Sequence, residues 1–182
     1  MKPSLAVLIA TFALTALAQN GPIEQTIAGV TVGASTLPDF TARFGDGQDV
    51  RGIVVVHPGD SCTLSAYADA DQQHDPKFIT TVTLTATPQT SKASGPCLNL
   101  VTSKKIGLGS SPADVINVYG KPRFDSEKNG LRILRFDNSA VCKHKSGHPI
   151  TLRSLMIRYD IKDTKIVEIS ISEGSYACDS LD

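Results

Sequence analysis

Three groups of side chains in this 182-residue sequence have types and spacings that chemistry could use. Gly59-Asp60-Ser61 ends an apolar run, and Asp71-Gln72-Gln73-His74 follows closely. A serine nucleophile needs a base within hydrogen-bond reach and an oxyanion site beside it, so Ser61 with His74 is the pair for ester hydrolysis. Against that, Thr63 to Ala68 reads as a strand and Pro58-Gly59-Asp60-Ser61 is good turn chemistry between two strands. Cys142, His144 and His148 form a second group, whose thiolate and imidazoles suit zinc. The same histidines also read as part of a basic solvent loop, Lys143 to Pro149. Gly107, Gly109, Ser110 and Ser111 resemble a phosphate-cradling turn before a helix, but the Gly-Lys-Ser/Thr of a P-loop is absent. Hydrolase and metal site are thus alternatives, and the leading expectation assigns no catalytic residue, cofactor or metal.

The cysteines depend on the compartment, and the N-terminus speaks to that. Lys2, the apolar stretch Leu5 to Leu17 and Ala16-Leu17-Ala18 have the layout of a secretory signal cleaved near Ala18. Thirteen residues rise only about 20 Å as a helix, short of a bilayer core of roughly 30 Å. The expectation is a periplasmic or secreted chain with no transmembrane segment after cleavage. In an oxidising compartment Cys62, Cys97, Cys142 and Cys178 imply disulfides. Three connectivities are open. The near-equal separations, 35 positions for Cys62 to Cys97 and 36 for Cys142 to Cys178, favour one bridge in each half.

Those halves look alike. Val30, Val32 and Gly33 match Ile106, Leu108 and Gly109, and Asp39, Phe40, Phe44 and Gly45 match Asp114, Val115, Tyr119 and Gly120 after a one-residue slip. The period of about 75 residues suits a duplicated small domain. Ser111, Pro112 and Asp114 supply a helix start, Val115, Ile116 and Tyr119 an apolar face, and Gly120 a stop. Thr36 to Asp39 opens a matching helix, with Phe40 and Phe44 one turn apart and Gly45 ending it. Alternation predicts strands at Ile53–His57, Cys62–Asp69 and Phe78–Ala86, then at Leu131–Phe136, Leu152–Tyr159 and Lys165–Ser172. Phe78, Thr80, Val82, Leu84 and Ala86 are expected on one face. Leu155, Ile157 and Tyr159 should share a face of their strand, as should Val167, Ile169 and Ile171, with Asp163-Thr164 in a tight hairpin.

The expected fold is α+β: two similar repeats, each a short helix packed on an antiparallel sheet of three to four strands. Residues 1–18 form the signal, 27–103 the first repeat and 104–182 the second. The small-residue turn, Ser/Thr, acidic residue, apolar helix and Gly-x-Pro from Ile106 to Pro122 resemble the repeat of the BamE-like superfamily. That superfamily includes a lipoprotein subunit of the barrel-assembly machine and the tandem-repeat β-lactamase inhibitory protein. The resemblance implies two α+β units whose sheets join into one concave, partner-binding surface, and no catalytic residues. The lipid-bearing Cys is absent, and no inhibitory loop motif can be matched.

Composition narrows the function. Hydrophobic residues make up 41%, enough for a packed core, and 18 basic residues balance 18 acidic ones, without the excess that nucleic-acid-binding proteins normally show. Residues 19–103 carry four basic and eight acidic side chains; residues 104–182 carry 13 and 10. The sequence therefore points to an exported, non-catalytic interaction protein whose partner is a protein or an envelope component.

Overall fold

Residues 24–68, 78–87, 95–139 and 151–177 are described by a computed structural model. The expected signal at 1–18 lies outside them. A small hairpin of β1 (Thr26–Ile27) and β2 (Val30–Thr31) precedes helix α1 (Leu37–Phe44). Strands β3 (Gln48–Val50), β4 (Ile53–Gly59), β5 (Cys62–Ala68) and β6 (Ile79–Ala86) follow. After a 3-10 turn at Gly95–Asn99 and helix α2 (Pro112–Tyr119) come β7 (Phe124–Lys128), β8 (Leu131–Ser139), β9 (Thr151–Lys162) and β10 (Lys165–Ala177). All eight strands from β3 to β10 join one antiparallel sheet in the order β3-β4-β5-β6-β10-β9-β8-β7.

This corrects the expected fold class. Among the described residues the structure is mostly β, with 54% strand against 18% helix, and strands β3 to β10 form one large antiparallel sheet, not a two-repeat α+β arrangement. The reason lies at the centre. Alone, β6 and β10 would each be a long edge with unpaired backbone groups, an arrangement that invites pairing. They pair with each other from Thr81–Ser172 to Thr85–Glu168. Val82 and Leu84 then lie beside Ile171 and Ile169 in one continuous buried cluster.

Both helices are short and begin in the same way. Thr36 and Ser111 accept the backbone N–H of Asp39 and Asp114, whose carboxylates accept the cap N–H groups in return. This reciprocal box satisfies donors that a helix start leaves orphaned. Gly45 and Gly120, at φ 88° and 78°, end the helices in a backbone region that side chains avoid. Eight residues are marginal as an isolated helix, so packing must hold each one. Phe40 of α1 is buried, and α1 lies over β4 and β5. Tyr119 of α2 stacks 5.5 Å from Phe136 on β8 and 5.8 Å from Tyr159 on β9.

The turn before each helix hooks onto the sheet and resets the faces there. Gly33 donates to the Ile79 carbonyl and Ile79 donates back to Ser35; Gly109 and Ser110 make the same exchange with Ile166. A register shift follows each hook, between Tyr67 and Ala68 opposite β6 and between Ile166 and Glu168 within β10. Ile79 and Ile166 thereby turn into the core, while Thr80 and Val167, expected on the apolar faces, are only half-buried. Beyond the shifts the alternation holds.

A buried carboxylate ties the first hairpin to α2. Glu24 accepts hydrogen bonds from the backbone N–H of Gln25, Thr26 and Lys104, the Ser103 hydroxyl and the Tyr119 phenol. Its lone pairs are well used, which makes burial of this carboxylate tolerable. Burial pushes the phenols of Tyr119 and Tyr159 up, so both stay protonated.

Two predictions follow from the turns and the caps. Two-residue hairpins with both residues at positive φ join β3 to β4 (Arg51-Gly52), β7 to β8 (Asn129-Gly130) and β9 to β10 (Asp163-Thr164). Thr164, at φ 62°, is β-branched in a conformation that favours glycine. Replacing it in Thr164→Gly should raise stability by about 0.5–1 kcal/mol, strain relief less the added freedom of glycine in the unfolded chain. A higher urea midpoint at unchanged slope is the readout. The cap hydrogen bonds hold the carboxyls of Asp39 and Asp114 below their ordinary 3.8. Carboxyls lowered in the folded state contribute stability above the unfolded value, and that contribution fades as pH falls through the folded value. Stability measured from pH 6 down to pH 2 should therefore drop less steeply in an Asp39→Asn, Asp114→Asn double variant.

Candidate functional site: the open face of the sheet

Alternation along the strands divides the sheet into two unlike faces. Among the described residues, α1, α2, the β1–β2 hairpin and the 3-10 turn all contribute to the core cluster on one face. Directly paired residues share a face, so the registers show what lies on the other. From β3 to β5 it carries Val50, Ile53, Val55 and Tyr67. In the middle come hydroxyls: Ser65, Thr83 and Ser170 in one row, Tyr67, Thr81 and Ser172 in the next. Thr83 and Ser170 hydrogen-bond across the β6–β10 pair at 3.0 Å, and Thr85 donates to Glu168 at 3.2 Å.

Toward β7 the face becomes ionic. Arg135 on β8 lies directly opposite Arg158 on β9, an unfavourable pairing unless countercharge is at hand. Each has a carboxylate two residues along its own strand. Arg158 grips Asp160 with Nε–Oδ1 at 2.6 Å and Nη2–Oδ2 at 2.7 Å. Arg135 pairs with Asp137, its Nε and Nη2 each 3.0 Å from a carboxylate oxygen. Arg123 approaches Asp137 at 3.5 Å. Asp160 holds the Arg158 guanidinium above its ordinary value through that hydrogen bond. Phe124 faces out opposite Arg135, whose guanidinium lies 5.8 Å from the ring centroid.

The residues singled out from sequence fare differently. Cys62 and Cys97 form a disulfide on the core side, joining β5 to the 3-10 turn. Cys142 and Cys178 lie outside the described residues, as do His74, His144 and His148. Ser61 is buried in the β4–β5 turn, and its carbonyl accepts the Thr87 N–H. A buried hydroxyl is poorly placed to meet an ester. The N–H groups of Gly107 and Gly109 are occupied by Ser110 Oγ and the Ile166 carbonyl, which leaves this turn no anion cradle. Among the described residues no three His, Cys, Asp or Glu side chains are grouped to hold a metal, and no helix is long and apolar enough to cross a membrane.

The ionic patch was not anticipated, although a signal for it existed. Arg-aromatic-Asp occurs three times, at 123–125, 135–137 and 158–160. In the last two the aromatic residue enters the core and the charges share the open face; in the first, Phe124 turns outward instead. Comparisons with protein-family models, curated proteins and solved structures find no match for this chain.

The disulfide closes a loop of about 36 residues, so a Cys62→Ala, Cys97→Ala double variant should lose about 3–4 kcal/mol by chain-entropy arithmetic. Denaturant titration of the two proteins without reductant measures it.

Proposed function

We propose that the protein is a non-catalytic interaction module of the cell envelope or extracellular space, and that it binds its partner on the open face of the sheet. The observation that carries this reading is the contrast between the faces. Among the described residues, one is covered by the helices and the hairpin, and the other presents apolar, hydroxylic and ionic side chains on a single sheet. Rigid elements place side chains more accurately than loops do, which lowers the ordering cost of association.

The likeness of Ile106 to Pro122 to the BamE-like repeat points to the same class of activity. Export after cleavage near Ala18 belongs to this reading, and a cystine suits the oxidising compartment it requires. The partner is a protein or an envelope component.

Site-specific photocrosslinking in the native host tests the proposal. A photoreactive phenylalanine analogue at Ser65 or Thr81 on the open face should give a discrete higher-mass adduct in the envelope or extracellular fraction. The same analogue at Ala42 on α1 should not. No adduct from the open face, or equal adducts from both positions, would overturn the reading.

A further inference from the structure

We propose that Arg123, Arg135 and Arg158, with Phe124 beside them, form the docking site for an acidic segment of a protein partner. This rests on the interaction reading above and names the chemistry it requires. The argument begins with depth. The side chains of Asp137 and Asp160 are only 13% and 9% exposed, whereas those of Arg123, Arg135 and Arg158 are 65%, 41% and 40% exposed. The carboxylates are sunk into the sheet surface and the guanidiniums lie above them.

A guanidinium has five N–H donors in a fixed fork. Asp160 accepts from Nε and Nη2 of Arg158; Asp137 accepts from Nη2 of Arg135 and ion-pairs with its Nε at 3.0 Å. These bonds lock the side chains, and Nη1 of each remains outside that pairing. Arg135 and Arg158 stand directly opposite on neighbouring strands, at a spacing of about 5 Å between backbones. Two held, adjacent donor groups match carboxylates on alternate residues of an extended segment. Glu168 flanks this site opposite Asp160, where it accepts from Thr85. It bounds the acid-binding area on the β10 side.

The formal charge also selects the kind of acid. Three arginines face Asp137, Asp160 and Glu168, and the chain as a whole has a net charge of zero. Long-range attraction for a dense polyanion is therefore weak, because it depends on net field rather than on contacts. Short-range forked hydrogen bonds remain available to individual carboxylates. Phe124 adds an exposed apolar contact at the rim, and arginine with an aromatic neighbour is the composition that dominates protein–protein binding energy. A segment alternating acidic and apolar side chains meets both demands.

The probe is acetyl-Glu-Leu-Glu-Leu-Glu-amide, with acetyl-Gln-Leu-Gln-Leu-Gln-amide as its uncharged control and a heparin hexasaccharide as the polyanion. Binding is followed by NMR through the Nε–H signals of the arginines and the backbone amides of the full chain. The acidic peptide should shift Arg123, Arg135 and Arg158 while the glutamine peptide does not. An Arg135→Gln, Arg158→Gln double variant should bind it at least tenfold more weakly. Arg123→Gln, which changes the most exposed of the three, should weaken binding several-fold and serves if the double variant misfolds. No binding, undiminished binding by these variants, or tighter heparin binding at the same arginines would overturn the proposal. Crosslinks to a partner from Ser65 or Thr81 that persist in the arginine variants would overturn it too, yet leave the interaction reading standing.

Discussion

The antiparallel pairing of β6 with β10 is the contact on which the other features depend. It joins strands 83 to 91 residues apart in sequence and turns two four-stranded meanders into one sheet. Without it, Val82 and Leu84 on one side, and Ile169 and Ile171 on the other, would border an open edge rather than each other. The helices are too short to cover such edges, since eight residues span only about 12 Å. The same pairing sets Thr83 against Ser170 and Thr85 against Glu168, so the open face runs unbroken from the apolar end to the arginines. Core and candidate surface are two sides of one hydrogen-bonded seam.

Local chemistry was legible in the sequence wherever one element determined its own conformation. Thr36 with Asp39 and Ser111 with Asp114 specify their caps within four residues, and both helices start there. The alternation of Leu64, Ala66 and Ala68, or of Ile157 and Tyr159, fixes which face is buried. Strands β3 and β7 were missed because Gln48-Asp49-Val50 and Phe124 to Lys128 are short, polar edge segments without an apolar rhythm. Thr80 and Val167 fall outside the expected apolar faces because the facing of Ile79 and Ile166 depends on hydrogen bonds that they donate to the Ser35 and Ser110 carbonyls, far away in the chain. The joining of the two halves into one surface is implied by the family resemblance alone, not by any residue of the seam. No residue in β6 announces β10 as its neighbour, and a likeness between halves says nothing about whether their edges meet.

The site was less legible than the fold because its chemistry arises across strands. Ser61 and His74 form a pattern in sequence, but Ser61 is buried in a tight turn. Arg135 and Arg158 are ordinary surface residues until the register of β8 against β9 sets them side by side. The triplets at 135–137 and 158–160 then do two things at once. Phe136 and Tyr159 anchor the strand beneath Tyr119, and the flanking charges are held on the opposite face by that anchoring. Loss of either ring would therefore loosen the guanidiniums as well as the core.

A sheet covered on one side must keep its other side both polar and ordered. Free lysines would make it polar but mobile, and ordering them on binding would cost about 0.5–1.5 kcal/mol for each side chain. Here Thr83 and Ser170 bond to each other, Thr85 donates to Glu168, and Arg158 is clamped by Asp160 at its base. Isolated surface ion pairs contribute little to stability, about 0–1 kcal/mol at most. The direct effect of these pairs is on order: they hold the guanidinium groups in fixed directions. Neutralising each arginine from below also lets two like charges stand on adjacent strands without forcing the sheet apart.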